Sequence, residues 1–408
     1  MLKDNMPVNS FLYHELCPRY YLSSDTMALL NQILLNLQVI MDNRLFLDIL
    51  NIDSTSGRER ALADFLAEHM KTEHNTLERF DVDTMAGDVP AGCSVPQNLL
   101  FSWGTPKLLF CTHLDTVPPY IPPVADDGQG VIYGRGTCDA KGQIVAMWEA
   151  CKALEEKGYE GFGLLLLAGE ETGSFGAKSF REQHHGAEWV VVGEPTDNCM
   201  ATAAKGTKSF EVTFEGKAFH SGYPEYGVSA IEMFNDFMNA LRSIRFPSDE
   251  VLGDTTWNVG KLNSDNPQNI LSPKLTCRVY FRTTFESDEM VCNIMRNMAG
   301  PDAKLRFGRP KAQDGSDLVA KDVALWQKMM SVKALGGDSP TRFEVLDGFD
   351  AKPVSFGSDA PQLTNCPRKI LCGPGSILVA HRPEENITYN AIQKAIENYI
   401  EIAEHILK

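Results

Sequence analysis

A chain of 408 residues with 43% hydrophobic and 23% charged residues is long enough to bury a large core and to divide into two domains. Its net charge of −16 argues against a nucleic-acid or anionic-membrane partner, either of which needs a basic face. Ten cysteines without a C-x-x-C pair read as reduced thiols of a cytoplasmic protein rather than as a disulfide framework.

Met1 to Ser10 carry acid as well as base, and no apolar core of a secretory signal follows. A helical pattern then runs from Met27 to Leu50, interrupted by Asn31, Gln32, Asn36 and Gln38, which makes it too polar to span a bilayer. Ser54 to Gly57 break it, and a helix resumes from Arg58 to Lys71 with Leu62, Phe65 and Leu66 on one side. From Asn98 to Val192 the texture is α/β. The apolar runs Leu99–Trp103, Leu108–Phe110, Phe162–Leu167 and Trp189–Val192 read as buried strands, with a helix from Gly142 to Lys157 between two of them. Continuous apolar strands separated by helices predict a largely parallel sheet covered on both faces.

After Lys205-Gly206 the pattern becomes half-exposed. Phe210–Phe214 alternates, a helix follows from Ser229 to Arg245, and two alternating strands lie near Thr255–Leu262 and Leu275–Thr284. A helix over Ser287–Met298 and a short strand at Lys304–Phe307 complete a β-α-β-β-α-β order, the ferredoxin-like unit. Gly308 to Pro310 reads as the return linker. The prediction is an α/β catalytic domain over 1–206 and 309–408, with residues 1–40 an extension of no assigned role. An α+β domain over 207–308 is inserted into it.

The polar residues gather where such strands end, the edge at which open α/β sheets bind ligands. His113 and Asp115 follow the strand at Leu108; two residues apart in extended backbone they share a face. That suits a metal-ligating imidazole whose other ring nitrogen is held by a carboxylate. Asp139 sits among glycines before a helix. The competing dinucleotide fingerprint fails there, because Gly134-x-Gly136 lacks its third glycine. Glu170 and Glu171 follow the strand Phe162–Leu167, and adjacent residues in extended backbone point to opposite sides. Glu194 follows Trp189–Val192, before Pro195, and His381 lies in the C-terminal part; His220 stands far from the rest, in the inserted domain. Any one of these reads as an ordinary turn or surface residue. As a set, His113, Asp139, Glu171, Glu194 and His381 suit two zinc ions bridged by one carboxylate. A metal pair about 3.5 Å apart polarises a carbonyl and holds hydroxide at neutral pH. Glu170 is left free to take the proton of the attacking water and pass it to a leaving amine.

The chain resembles the zinc-dependent family of acetylornithine deacetylase, succinyl-diaminopimelate desuccinylase, aminoacylase and carboxypeptidase G. The resemblance rests on His113-Leu-Asp-Thr-Val-Pro118, Gly136-Thr-Cys-Asp-Ala-Lys-Gly142, Gly169-Glu-Glu-Thr-Gly173, Gly193-Glu-Pro-Thr196 and Gly216-Lys-Ala-Phe-His-Ser221. Gly373-Pro-Gly-Ser376 and His381-x-Pro-x-Glu385 complete the series, which runs from about residue 45 to the end. It implies His113, Asp139 and Glu194 on one Zn2+ and Asp139, Glu171 and His381 on the other, with Co2+ or Mn2+ as substitutes. Asp115 would orient His113, and Glu170 would be the general acid/base. The inserted domain would be a lid and dimerisation domain of a homodimer, its His220 holding the oxyanion in the partner's site. Asn269 and Arg282 fall where the family binds the substrate carboxylate, and Gly357-Ser-Asp-Ala360 resembles its loop near the substrate. The motifs look most like acetylornithine deacetylase of arginine biosynthesis, with N2-acetyl-L-ornithine as substrate. Phe101–Phe110 is similar to acetylcitrulline deacetylase. A dipeptidase or desuccinylase on the same scaffold is the nearest rival, and a non-catalytic binding relative the most distant one. A cysteine nucleophile at Cys138 would need a histidine base, and the histidines are claimed by metal.

Overall fold

The computed structural model describes residues 44–82, 93–126, 130–298 and 330–408. The chain forms two compact units, Met1–Ile49 and Leu50–Lys408. Of the first, only a short helical piece over 44–49 is described, so the expected extension over 1–40 lies outside the described residues. The second unit carries everything that follows.

Its strands in chain order begin with β1 (Thr76–Asp81), β2 (Gln97–Trp103), β3 (Leu108–His113), β4 (Val124–Asp126), β5 (Val131–Tyr133), β6 (Phe162–Leu167) and β7 (Trp189–Val192). They continue with β8 (Met200–Ala204), β9 (Gly206–Glu215), β10 (Thr256–Asn263), β11 (Lys274–Thr283) and β12 (Met330–Gly336). The last four are β13 (Thr341–Arg342), β14 (Ala351–Val354), β15 (Arg368–Leu371) and β16 (Asn386–Thr388). The helices are α1 (Arg60–His69), α2 (Lys141–Glu156), α3 (Phe175–Gln183), α4 (Ala230–Ser243), α5 (Asp288–Met298) and α6 (Tyr389–Leu407).

The larger sheet has the order β1-β2-β6-β3-β7-β15. Strands β6, β3, β7 and β15 run parallel, and β2 is antiparallel to both of its neighbours. Every residue of β3, β6 and β7 is buried, the pattern expected where helices cover both faces. Helices α2 and α6 pack on one face, where Phe110 meets Tyr399 edge to face at 5.6 Å. Leu100, Leu109, Leu165 and Val190 meet Ala177 and Phe180 of α3 on the other. Residues alternate across a strand, so the two cores are built from alternate side chains of the same strands.

The smaller sheet has the order β10-β11-β9-β12 and is antiparallel throughout, with β10 and β12 at its edges. This is the ferredoxin-like arrangement expected from the β-α-β-β-α-β pattern. One face is buried by α4 and α5 through Phe210, Val212, Phe214, Phe237, Leu275, Phe281, Val291 and Met295. Ser229 caps α4 by accepting from the Glu232 N–H. The fourth strand is β12, over Met330–Gly336, where the sequence pattern placed it at Lys304–Phe307. That segment and the expected linker at Gly308–Pro310 fall among the residues not described.

The nine described cysteines are free thiols, and among the described residues no helix is long and apolar enough to cross a membrane.

Candidate metal centre and active site

The four parallel strands all end on one edge of the larger sheet, and the expected residues stand there. His113 is the last residue of β3, Glu170 and Glu171 lie in the turn after β6, Glu194 follows β7, and His381 lies in the loop after β15. Asp139 lies just before α2. Gly169, at φ +71°, turns the chain sharply out of β6 so that two consecutive acids stand at the edge. His381 itself has φ +63°, a left-handed conformation that a non-glycine residue holds only when its surroundings impose it.

Two clusters of possible ligand atoms result, each with all its atoms within 4.8 Å of one another: His113, Asp139 and Glu194, and Asp139, Glu171 and His381. Asp139 belongs to both. His113 Nδ1 lies 2.9 Å from the main-chain oxygen of Asp115, which can only accept, so this nitrogen carries the proton. Nε2 then offers a lone pair, yet it faces Asp139 Oδ1, another acceptor, at 3.0 Å. His381 Nε2 likewise faces Glu171 Oε1 at 2.9 Å and Asp139 Oδ2 at 3.2 Å. Lone pairs aimed at one another over such distances need a cation between them, either a proton or a metal ion. Two imidazoles and three carboxylates are the hard and borderline donors that divalent zinc, cobalt or manganese accepts. The residues present therefore fit a dinuclear site.

The electrostatics agree. Burial opposes a charged His113, but Asp115 and Asp139 overcome it and hold its imidazole well above the ordinary range. The carboxylates of Asp139 and Glu171 push His381 up to about 10 against the effect of burial. Burial, then the charge of Asp139, raises Glu194 well above the usual carboxylate range. Glu170 is raised well above it by burial first and by Glu194 second. Such a constellation is short of positive charge.

Asp115 does more than face His113, to which its Oδ1 lies at 3.4 Å. The same oxygen accepts the Glu170 N–H at 3.0 Å, and Oδ2 accepts the Glu171 N–H at 3.2 Å. One fully buried carboxylate thus positions both the turn carrying the proposed base and the strand end carrying a ligand. Two further partners escaped the sequence reading. Ser56 donates to Asp115 Oδ2 at 2.9 Å. Glu385 Oε1 accepts from the backbone N–H groups of Gly136, Cys138 and Asp139 at 2.9, 3.1 and 3.1 Å, while Oε2 takes the Arg135 guanidinium. Glu385 stood inside a motif, but nothing local signals that it holds a loop 246 positions away.

The residues of the smaller sheet are placed differently. His220 is exposed, its Nδ1 accepting from the Gly222 N–H at 3.0 Å, and exposed Asn269 offers its carbonyl to the Ser221 N–H at 2.9 Å. Arg282, in β11, lies over the Tyr280 ring. A Cβ on Gly357 would come within 3.7 Å of its Nη1, so this guanidinium abuts the 357–360 loop. In that loop Asp359 is buried and faces Ser174; burial pushes its carboxyl up to about 7. Cys138 is buried with its Sγ 3.4 Å from the Ser376 carbonyl, and burial pushes its thiol far above neutrality, which fits no nucleophile.

A sequence profile described as peptidase family M20/M25/M40 matches residues 109–405. A probable carboxypeptidase of Aspergillus terreus is 30% identical over 391 residues, covering 88% of this chain and 84% of that protein. Among solved structures, a tripeptidase of Staphylococcus aureus is similar at a TM-score of 0.68 and 19% identity, covering 90% of this chain and 98% of that one. A dinuclear metal-binding peptidase of Bacillus subtilis is similar at a TM-score of 0.60 and 12% identity, covering 90% and 98%.

Proposed function

The chain belongs to peptidase family M20/M25/M40, and on that premise we propose that it is a dinuclear zinc carboxypeptidase acting on short peptides. The observation that carries the reading is the pair of ligand clusters sharing Asp139, with Glu170 beside them on a turn pinned by Asp115. When bound, the two ions supply Lewis acidity and an activated water. Glu170 takes the proton of the attacking water and returns it to the departing amine. Asp115 keeps that carboxyl in place. Arg282, against the 357–360 loop, pairs with the free carboxylate of the substrate's last residue.

Peptides and N-acyl amino acids share one feature, an amide to an amino acid with a free carboxylate. The relatives named probable carboxypeptidases favour the peptide over N2-acetyl-L-ornithine, to which the Gly373–Ser376 and His381–Glu385 motifs pointed. The test is hydrolysis, with Zn2+, Co2+ or Mn2+ added, of an N-blocked dipeptide, a free dipeptide, N-acetyl-ornithine, N-acetyl-citrulline and N-succinyl-diaminopimelate. Release of the C-terminal residue from the blocked dipeptide, lost on C-terminal amidation, is the expected result. Preference for N-acetyl-ornithine would return the chain to the deacetylases, and no turnover of any member by metal-loaded protein would end the hydrolase reading.

The reading includes a homodimer in which His220 reaches the partner's site and stabilises the oxyanion. Mixing His220→Ala with Glu170→Ala protein should then restore activity that neither has alone. Silence after verified subunit exchange removes the shared site.

A further inference from the structure

A second buried acid stands behind the catalytic turn. Glu59 is fully buried, directly before α1, at the position where an acid commonly caps a helix. It does not cap α1: its side chain makes no hydrogen bond to the first turn. Neither carboxyl oxygen has a hydrogen-bond partner, and the charge acting most on it is that of another acid, Asp115. A buried carboxyl with neither cap nor ion pair is costly, so a structural account of it is missing.

What it faces supplies one. The Ser54–Glu59 segment runs alongside the residues that follow β3: Ser56 N–H donates to Thr116 O at 3.1 Å, Thr116 N–H to Ser54 O at 3.1 Å, and Ser56 Oγ to Asp115 Oδ2 at 2.9 Å. From its end, the Glu59 carboxyl is directed at the backbone N–H groups of Gly57 and Gly169. Together with Ala168, Gly169, Thr172 and Phe175 it lines a small cavity behind the turn. Gly169 is the pivot from which Glu170 and Glu171 hang.

We infer that Glu59 is a positioning residue for the reaction: beside Ser56 and Asp115 it backs the Gly169–Glu171 turn, and so sets the aim of the Glu170 carboxylate. Asp115 holds the amides of Glu170 and Glu171 by hydrogen bonds; Glu59 packs beside the pivot before them, its carboxyl turned to the Gly169 N–H without a closed bond. In support, burial first and the charge of Asp115 second push its carboxyl up to about 7, so that below that pH it faces Asp115 mainly as a neutral group. A neutral acid beside a carboxylate stiffens the cradle without adding repulsion.

This inference rests on Glu170 being the base, and its test separates the two. Glu59→Leu, Glu59→Asp and Glu59→Gln are compared in the full chain. Amide hydrogen exchange over 168–174 is measured on metal-free protein, and kcat and KM on protein loaded with Zn2+. Glu59→Leu should speed exchange at Glu170 and Glu171 about tenfold while the rest of the sheet keeps its protection. Its kcat should fall by roughly 10–100-fold at an unchanged KM. Glu59→Asp, which withdraws the carboxyl by one methylene, should show the same split to a smaller degree and serves if the leucine variant does not fold. Glu59→Gln keeps the neutral hydrogen-bonding group and should return exchange and kcat to within about threefold of the parent. Unchanged exchange in Glu59→Asp and Glu59→Leu overturns the inference, as does a loss of protection spread evenly over the sheet. Loosened exchange at full kcat overturns its part in the reaction. If the parent protein hydrolyses nothing, the functional reading fails, and the exchange data alone decide whether Glu59 holds the turn.

Discussion

The edge of the larger sheet and the open part of the smaller sheet handle charge in opposite ways. At the edge, His113, Asp115, Asp139 and Glu194 are at most 5% exposed, with His113 Nδ1 donating to the Asp115 main-chain oxygen and its Nε2 set against Asp139. In the smaller sheet, His220 and Asn269 stand in solvent, and Arg282 rests half-buried on a tyrosine ring. Preorganisation explains the difference. Groups that act on developing charge gain most when fixed in a dry site, and burial of the edge residues despite their charge accords with the chemical role proposed for them. Groups that recognise a substrate must first meet it in water. The edge should therefore govern kcat and metal binding, and Arg282 KM, while His220 enters the chemistry only from the partner.

Glu170→Ala puts the largest strain on that division. It should keep both metal ions and lower kcat by on the order of 10²–10⁴, read by steady-state kinetics beside metal analysis. Loss of metal would make Glu170 a ligand rather than the base. Glu385→Ala comes next, because it frees the three amides that shape the Asp139 loop. Metal affinity by calorimetry should weaken by about 10–100-fold, as it does when groups behind the ligands are removed. The same affinity should fall with acidity, since a metal must displace the proton that Asp139 and Glu171 stabilise on His381.

On the recognition side, Arg282→Ala should raise KM about tenfold, the worth of one charged hydrogen bond, at nearly constant kcat. An Arg282 variant that lost kcat instead would move this guanidinium from recognition into the chemistry and erase its contrast with the edge.

How each region could be read from the sequence follows the same division. His113, Asp139, Glu171, Glu194 and His381 could be singled out together because they fall at strand ends and sheet-edge loops of one domain, and the structure brings them into two clusters. The alternation of Phe210, Val212 and Phe214 announced a one-faced strand equally well. Met330–Gly336 was not legible: it is an edge strand with a single buried residue, so it carries no alternation, and the pattern was closed early at Lys304–Phe307. Ser56 and Glu385 were missed for another reason. They act on a carboxylate or on backbone amides far along the chain, and such work leaves no periodicity, spacing or composition behind it.

Glu59→Gln has the smallest expected effect on turnover and tests the buried side without a substrate. In the folded protein the Glu59 carboxyl is raised from the ordinary glutamate value of 4.5 to about 7, chiefly by burial. Below pH 4.5 both folded and unfolded chains hold the proton, and the group adds no slope. Between pH 4.5 and 7 the unfolded chain has released it while the folded chain has not, so stability falls as pH rises through that window. Above pH 7 the loss is complete. At most it amounts to about 3 kcal/mol, at 1.36 kcal/mol per pKa unit. Glutamine does not titrate. The denaturant midpoint of Glu59→Gln should therefore gain on the parent between pH 4.5 and 7 and run parallel to it above. A constant offset across that range would mean that Glu59 is ionised in the fold, and the cradle behind Glu170 would then hold two negative charges where the structure holds one.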